Sequence, residues 1–129
     1  MLFKNAFEQQ PSLRFVYEKL QFYSVLGRQF LLNLPFITDE VTLSAEFERM
    51  ASVLELWQDT LHRPVFSHLS QQIHQLNNIA PTLSALANGA VLDDIQLFEI
   101  KKTAILTNVI AQDVKKLVLA LKDRGIKQI

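Results

Sequence analysis

Apolar residues recur along this chain at intervals of three and four, the period of an amphipathic α-helix. Leu13, Val16, Leu20, Tyr23, Gly27, Phe30 and Leu34 make the first stripe and predict helix from about residue 13 to 34, stopped by Pro35. Ser24 offers an N-cap midway, which leaves both one helix and two shorter ones open. Gly27 lies on the stripe, where it costs about 1 kcal/mol of helix propensity against alanine. Close approach of another backbone is the expected compensation.

A second stripe, Leu43, Phe47, Met50, Leu54, Trp57 and Leu61, follows an N-cap at Thr38 or Asp39 and ends at Arg63-Pro64. Its aromatics are expected to be packing material. Phe66, Leu69, Ile73 and Leu76 predict a short helix. Pro81 opens another with Leu83, Leu86 and Ala87 inward, closed at Asn88-Gly89. Asp93 then caps the longest helix, from Asp94 to about Lys122. Its seam is Leu97, Ile100, Ala104, Thr107, Ala111, Val114, Val118 and Leu121. Phe98, Ile105, Leu106, Ile110, Leu117 and Leu119 widen that seam beyond a coiled-coil stripe.

Three glycines and four prolines, all near expected connections, reinforce an all-α reading. The expected architecture is a helical bundle of about four to six helices with a long, lever-like C-terminal helix. Residues 1–11, ending in Glu8-Gln9-Gln10-Pro11, read as a polar leader, and residues 12–129 as a single helical domain. At 129 residues and 14.8 kDa the chain is long enough for a core without staples.

Thirteen basic residues balance thirteen acidic ones, but unevenly. Residues 39–59 hold six acids and one base, whereas residues 101–127 hold seven bases and two acids. Internal complementarity and solvated faces account for such an asymmetry, and a nucleic-acid surface is the sharper alternative. Lys101, Lys102, Lys115 and Lys116 are the candidate DNA contacts. Lys101 and Lys115, like Lys102 and Lys116, lie about 21 Å apart along a helix, a spacing able to track phosphates. Lysines on the exposed side of an amphipathic helix otherwise simply solvate it.

Candidate chemistry is sparse. The absence of cysteine excludes disulfides, thiol nucleophiles and thiolate metal sites. His62, His68 and His74 stand six apart, not at the three- or four-residue spacing of ligands on one helical face, and read as structural or surface histidines. No Gly-x-Ser-x-Gly turn or glycine-rich phosphate loop is present. The chain itself is therefore expected to be non-catalytic, with no cofactor or metal of its own. With no signal-like opening and no apolar run of about 20 residues, it is expected to be cytoplasmic and without a membrane partner.

One arrangement goes further. Leu13 through Ser24-Val25-Leu26-Gly27-Arg28-Gln29-Phe30-Leu31, followed by Leu34-Pro35 and Thr38-Asp39, resembles the core helical region of the MutS family of DNA mismatch repair proteins. Leu76 to Leu86, Asn88-Gly89-Ala90-Val91-Leu92 and Asp94-x-x-Leu97-x-x-Ile100 resemble the family's approach to its long lever helix. Leu26 stands where the family often has proline or an acidic residue. The resemblance covers about two thirds of the chain. It implies a lever that relays nucleotide state between a C-terminal ATPase and DNA-gripping elements. Gly27, Arg28, Pro35 and Gly89 carry over as structural landmarks only, and no catalytic or base-reading residue carries over. ATP and Mg²⁺ are implied for the full-length family protein, together with DNA, other domains of the same chain and, as one assembly open to it, a homodimer. The alternatives are a self-contained helical protein-interaction module and autonomous DNA binding through the four lysines.

Overall fold

The computed structural model describes residues 1–126. It is all-α, with seven helices among the described residues: α1 (Phe3–Gln9), α2 (Pro11–Lys19), α3 (Val25–Leu32), α4 (Glu40–Gln58), α5 (Arg63–His74), α6 (Ala80–Ala87) and α7 (Asp94–Asp123). At 30 residues, α7 is about 45 Å long.

The helix boundaries follow local chemistry. Asp39 caps α4, its carboxylate accepting from the Thr42 backbone N–H at 2.7 Å and the Thr42 hydroxyl at 2.6 Å. Those two bonds, the hydroxyl's first, hold Asp39 below the usual carboxylate range. Asp93 and Gln96 form a reciprocal capping box at the start of α7, with bonds of 2.7 and 3.0 Å. Helix α6 closes with Gly89 at φ 84°, the Gly89 N–H donating to the Leu86 carbonyl and the Ala90 N–H to that of Ala85. The end of α7 repeats this Schellman pattern around Gly125 at φ 92°, with the Ile126 N–H donating to the Leu121 carbonyl.

Several expectations are corrected. The segment read as a polar leader contains α1, because Phe3, Ala6 and Phe7 supply their own i, i+3, i+4 apolar face and Ala6 is buried. Of the two readings left open for the first stripe, that of two shorter helices holds: α2 ends at Lys19, and residues 20–24 are non-helical. Helix α3 then starts afresh on Ser24, whose hydroxyl accepts from the Gly27 N–H at 3.0 Å. Gly27 meets no other backbone. The nearest atom to a Cβ placed there would be Ser24 Oγ, at 3.3 Å. Pro64 occupies the first turn of α5 rather than ending α4, which stops at Gln58.

Two packing clusters organise these helices. The first joins α1 to α2 and α3. The rings of Phe7 and Tyr17 meet edge-on with centroids 4.8 Å apart, and Tyr17 also contacts Phe3 and Phe22. A short antiparallel bridge between Leu2 and Pro35 closes the cluster, with the Phe3 N–H donating to the Leu34 carbonyl at 2.9 Å. The second cluster brings α4, α5 and α7 together. Leu56, 0% exposed, sits against Leu117 and Leu121, with Val65, Phe66, Leu69, Ala120 and Ile126 packed around them. The α5–α7 pairing is the most extensive helix contact, whereas α6 packs extensively on no other helix.

A candidate interaction surface and its buried clasp

The inward side of α7 differs from the expected seam. Its buried residues are Leu106, Asp113, Leu117 and Leu121, of which only Leu121 belongs to the predicted heptad positions. Leu97 and Val114, both expected inside, are exposed. The stripe of α4 is corrected in the same sense. Leu56 faces the core, whereas Leu43, Met50 and Leu54 face outward, with Phe47 58% and Trp57 51% exposed. Both helices are apolar on more than one side, so 3/4 spacing alone does not say which side this chain covers.

Asp113 is the one buried charged residue among those described, its side chain 5% exposed. His68 of α5 places Nδ1 2.5 Å from Oδ2, and the Lys116 ammonium lies 3.4 Å from Oδ1. Burial alone pushes the Asp113 carboxyl up and is the largest single influence. The hydrogen bonds and charges of His68 and Lys116 together outweigh it and hold the group below the ordinary carboxylate range. The cluster clasps α5 to α7. No buried side-chain nitrogen or oxygen among the described residues lacks a partner.

A second polar node fixes the far end of α7. Asp59, just after α4, accepts the Leu61 N–H at 3.0 Å and the Arg124 guanidinium at 2.6 Å, with His62 Nδ1 at 3.1 Å. The Leu61 N–H first, then the His62 ring, with a smaller part from Arg124, hold its carboxyl low. Sequence reading did not assign these pairings. Asp113, an acid seven residues after Leu106 and four before Leu117, was the detectable signal of a polar group on a buried stripe. Nothing local announces Asp59 and Arg124 as partners, 65 residues apart.

Between α4 and α5 lies an open groove of about 870 Å³, with Met50, Leu54, Trp57, Phe66 and Ile73 among its walls and Glu46, Arg49 and Arg63 also lining it. Tyr23, from the α2–α3 link, reaches its edge. Glu46 and Arg49 are ion-paired. Its lining is mainly apolar, with one acid and two arginines among it.

The four candidate lysines separate into different settings. Lys101 and Lys115 are exposed on the outer side of α7. Lys102 is half-buried, and Lys116 is engaged with Asp113. They share a helix without forming a uniform free row. Among the resemblance landmarks, Arg28 stacks its guanidinium 5.6 Å from the Phe22 ring centroid. Pro35 holds the Leu2 bridge, Gly89 closes α6, and Gly27 donates to its N-cap. Among the described residues there is no group of three or more histidines or acids placed to hold a metal ion, and no helix is long and apolar enough to cross a membrane.

The exposed area of the chain, 9766 Å², exceeds by roughly 2,800 Å² the ~7,000 Å² that scaling gives a folded monomer of this mass. Large apolar side chains are exposed on α4 and α7 and equally on α2 and α3, where Phe15, Val25 and Phe30 are more than half exposed. Comparison with protein-family models, with curated proteins and with solved structures returned no match.

Proposed function

We propose that this chain is a non-catalytic core/lever region of a MutS-like DNA mismatch repair ATPase, in which α7 transmits nucleotide state toward DNA-binding elements. The observation that carries the reading is a turn. The Asn88-Gly89-Ala90-Val91-Leu92-Asp93 segment, a landmark of the resemblance, closes α6 on a left-handed glycine and opens a capped 30-residue helix. A helix of that length moves end to end as a rod if one side is anchored. Leu106, Asp113, Leu117 and Leu121 supply that anchoring side against α5 and α4. ATP and Mg²⁺ belong to the full-length family protein in this reading, and the exposed Lys101 and Lys115 are the DNA-contact candidates it favours.

The test is amide hydrogen exchange in a longer chain that carries the nucleotide site. ATP binding is expected to change exchange along residues 94–122. Binding and release of ATP with no change there would contradict the lever role. A second reading, a helical protein-interaction module, is favoured by the α4–α5 groove with its exposed Trp57. It predicts capture of an apolar helix in that groove whether or not nucleotide is present.

A further inference from the structure

We infer that the α4–α5 groove binds a small amphiphilic carboxylate of the fatty-acid type, with Arg63 holding the carboxylate and the groove walls holding the apolar chain. The inference does not rest on the lever reading, and it gives the groove a small-molecule occupant in place of a partner helix.

Three observations carry it. The first is size. The groove, at about 870 Å³, lies within the roughly 300–1,000 Å³ of small-molecule sites, which are mainly apolar with a few polar groups that set orientation.

The second is layout. Met50, Val53, Leu54 and Trp57 line the groove from α4 at three- and four-residue spacing, and Phe66 and Ile73 line it from α5. The charged residues fall toward its two ends. Arg63 Nη2 donates to the Gln58 carbonyl at 3.3 Å, which holds the guanidinium where α4 stops. Arg49 and Glu46 stand nine and twelve residues before Gln58, roughly 14–18 Å back along the same helix. The apolar walls run between, so one cationic end leads into an apolar trough. That is the complement of a head group and its chain.

The third is charge. Glu46 and Arg49 pair with each other. Arg63 has no ion pair among the described residues. Asp59, four residues before it, is taken up by Arg124, His62 and the Leu61 N–H. A guanidinium carries five N–H donors, so the single bond to Gln58 leaves enough for a bidentate carboxylate. The lining thus carries one net positive charge, and that charge selects an anionic amphiphile over a neutral or cationic one.

Trp57 is the only tryptophan of the chain and lines the groove, so its fluorescence reads occupancy. The experiment titrates the 129-residue chain with decanoate below its micelle concentration, with far-UV circular dichroism in parallel. A saturable shift of Trp57 emission to shorter wavelength is expected, with one decanoate per chain and no loss of helix. Octanoate is expected to bind more weakly and dodecanoate more tightly, by about two- to fourfold per methylene. Decanol and decyltrimethylammonium are expected to bind at least fivefold more weakly than decanoate. Arg63→Gln is expected to lose at least fivefold for decanoate and to leave decanol unchanged, whereas Lys122→Gln, at the end of α7, is expected to change neither. Absence of a saturable shift, or a shift that accompanies loss of helix as a detergent would cause, would overturn the inference. Equal affinity for decanol and decanoate would overturn it too, and would leave the groove a general apolar docking face. That comparison is made on the wild type and needs no variant to fold. Unchanged decanoate binding by a helical Arg63→Gln chain would remove the assigned head-group site.

Discussion

Around α1, α2 and α3 the contacts are made by rings, whereas α5 and α7 meet through leucines and one buried carboxylate. Tyr17 touches three phenylalanines at ring separations of 4.8–6.4 Å, but Ala6 is the only buried residue in that cluster. The second cluster encloses Leu56 completely and pins both the middle and the end of α7 with side-chain bonds, His68 to Asp113 and Arg124 to Asp59. Aromatic edge contacts tolerate adjustment at modest cost, while a buried leucine set and a desolvated carboxylate do not. Helix α7 is thus fixed along one side only, and the first cluster is the weaker of the two.

The second cluster is the more costly of the two to disturb. Leu56→Ala removes a fully enclosed side chain and is expected to cost about 3 kcal/mol. Urea unfolding checks the size. Loss of amide protection in α4, α5 and α7, with α1–α3 spared, checks that the clusters are separate.

His68→Ala leaves the buried Asp113 carboxylate with only its longer bond to Lys116, and is expected to cost about 2 kcal/mol at neutral pH. Because Asp113 titrates below its ordinary value in the folded chain, its stabilising contribution is fully present above about pH 4, the unfolded carboxylate value. It is lost as pH falls through the lower folded value. Losing His68 leaves the effect of burial on Asp113 less opposed in the variant, so the stability gap is expected to narrow as pH falls through the carboxylate range and to close at low pH. A gap constant to pH 2 would contradict a stabilising role for the His68–Asp113 bond.

Tyr17→Leu keeps apolar bulk but deletes the ring pairs, for about 1 kcal/mol. Exchange is expected to quicken only in α1–α3. Smallest of all, Gly27→Ala gains up to about 1 kcal/mol of helix propensity, offset by the 3.3 Å approach of the new Cβ to Ser24 Oγ. Thermal unfolding is expected to shift by no more than a few degrees either way.

Much of this arrangement was readable in the sequence, for identifiable reasons. Caps at Ser24, Asp39 and Asp93 and the stop at Gly89 are short-range signals in which side chain and backbone lie within a few residues, and each appears where its chemistry requires. Gly125, one residue beyond the C-cap of α7, carried the same signal, and its role as a second left-handed stop emerges only with the fold. Orientation was harder to read. Leu56 and Trp57 are neighbours of similar hydrophobicity, and the stripe through Trp57 is the more regular, yet Leu56 is enclosed and Trp57 is half exposed. Periodicity shows that a helix has an apolar side. Which side a single chain covers depends on partners 45 to 65 residues away, as His68–Asp113 and Asp59–Arg124 are. The α1 helix was hidden differently: its polar end, Glu8 to Gln10, masked a short apolar face at Phe3, Ala6 and Phe7.

Native-state hydrogen exchange, followed amide by amide as denaturant is raised, tests most directly whether α7 is a rod anchored on one side beside a weaker aromatic cluster. Amides of α5 and of residues 106–121 are expected to open last and together, and those of α1–α3 earlier, at a lower free energy. A single opening transition shared by both clusters, or earlier opening of α7 than of α2, would contradict it.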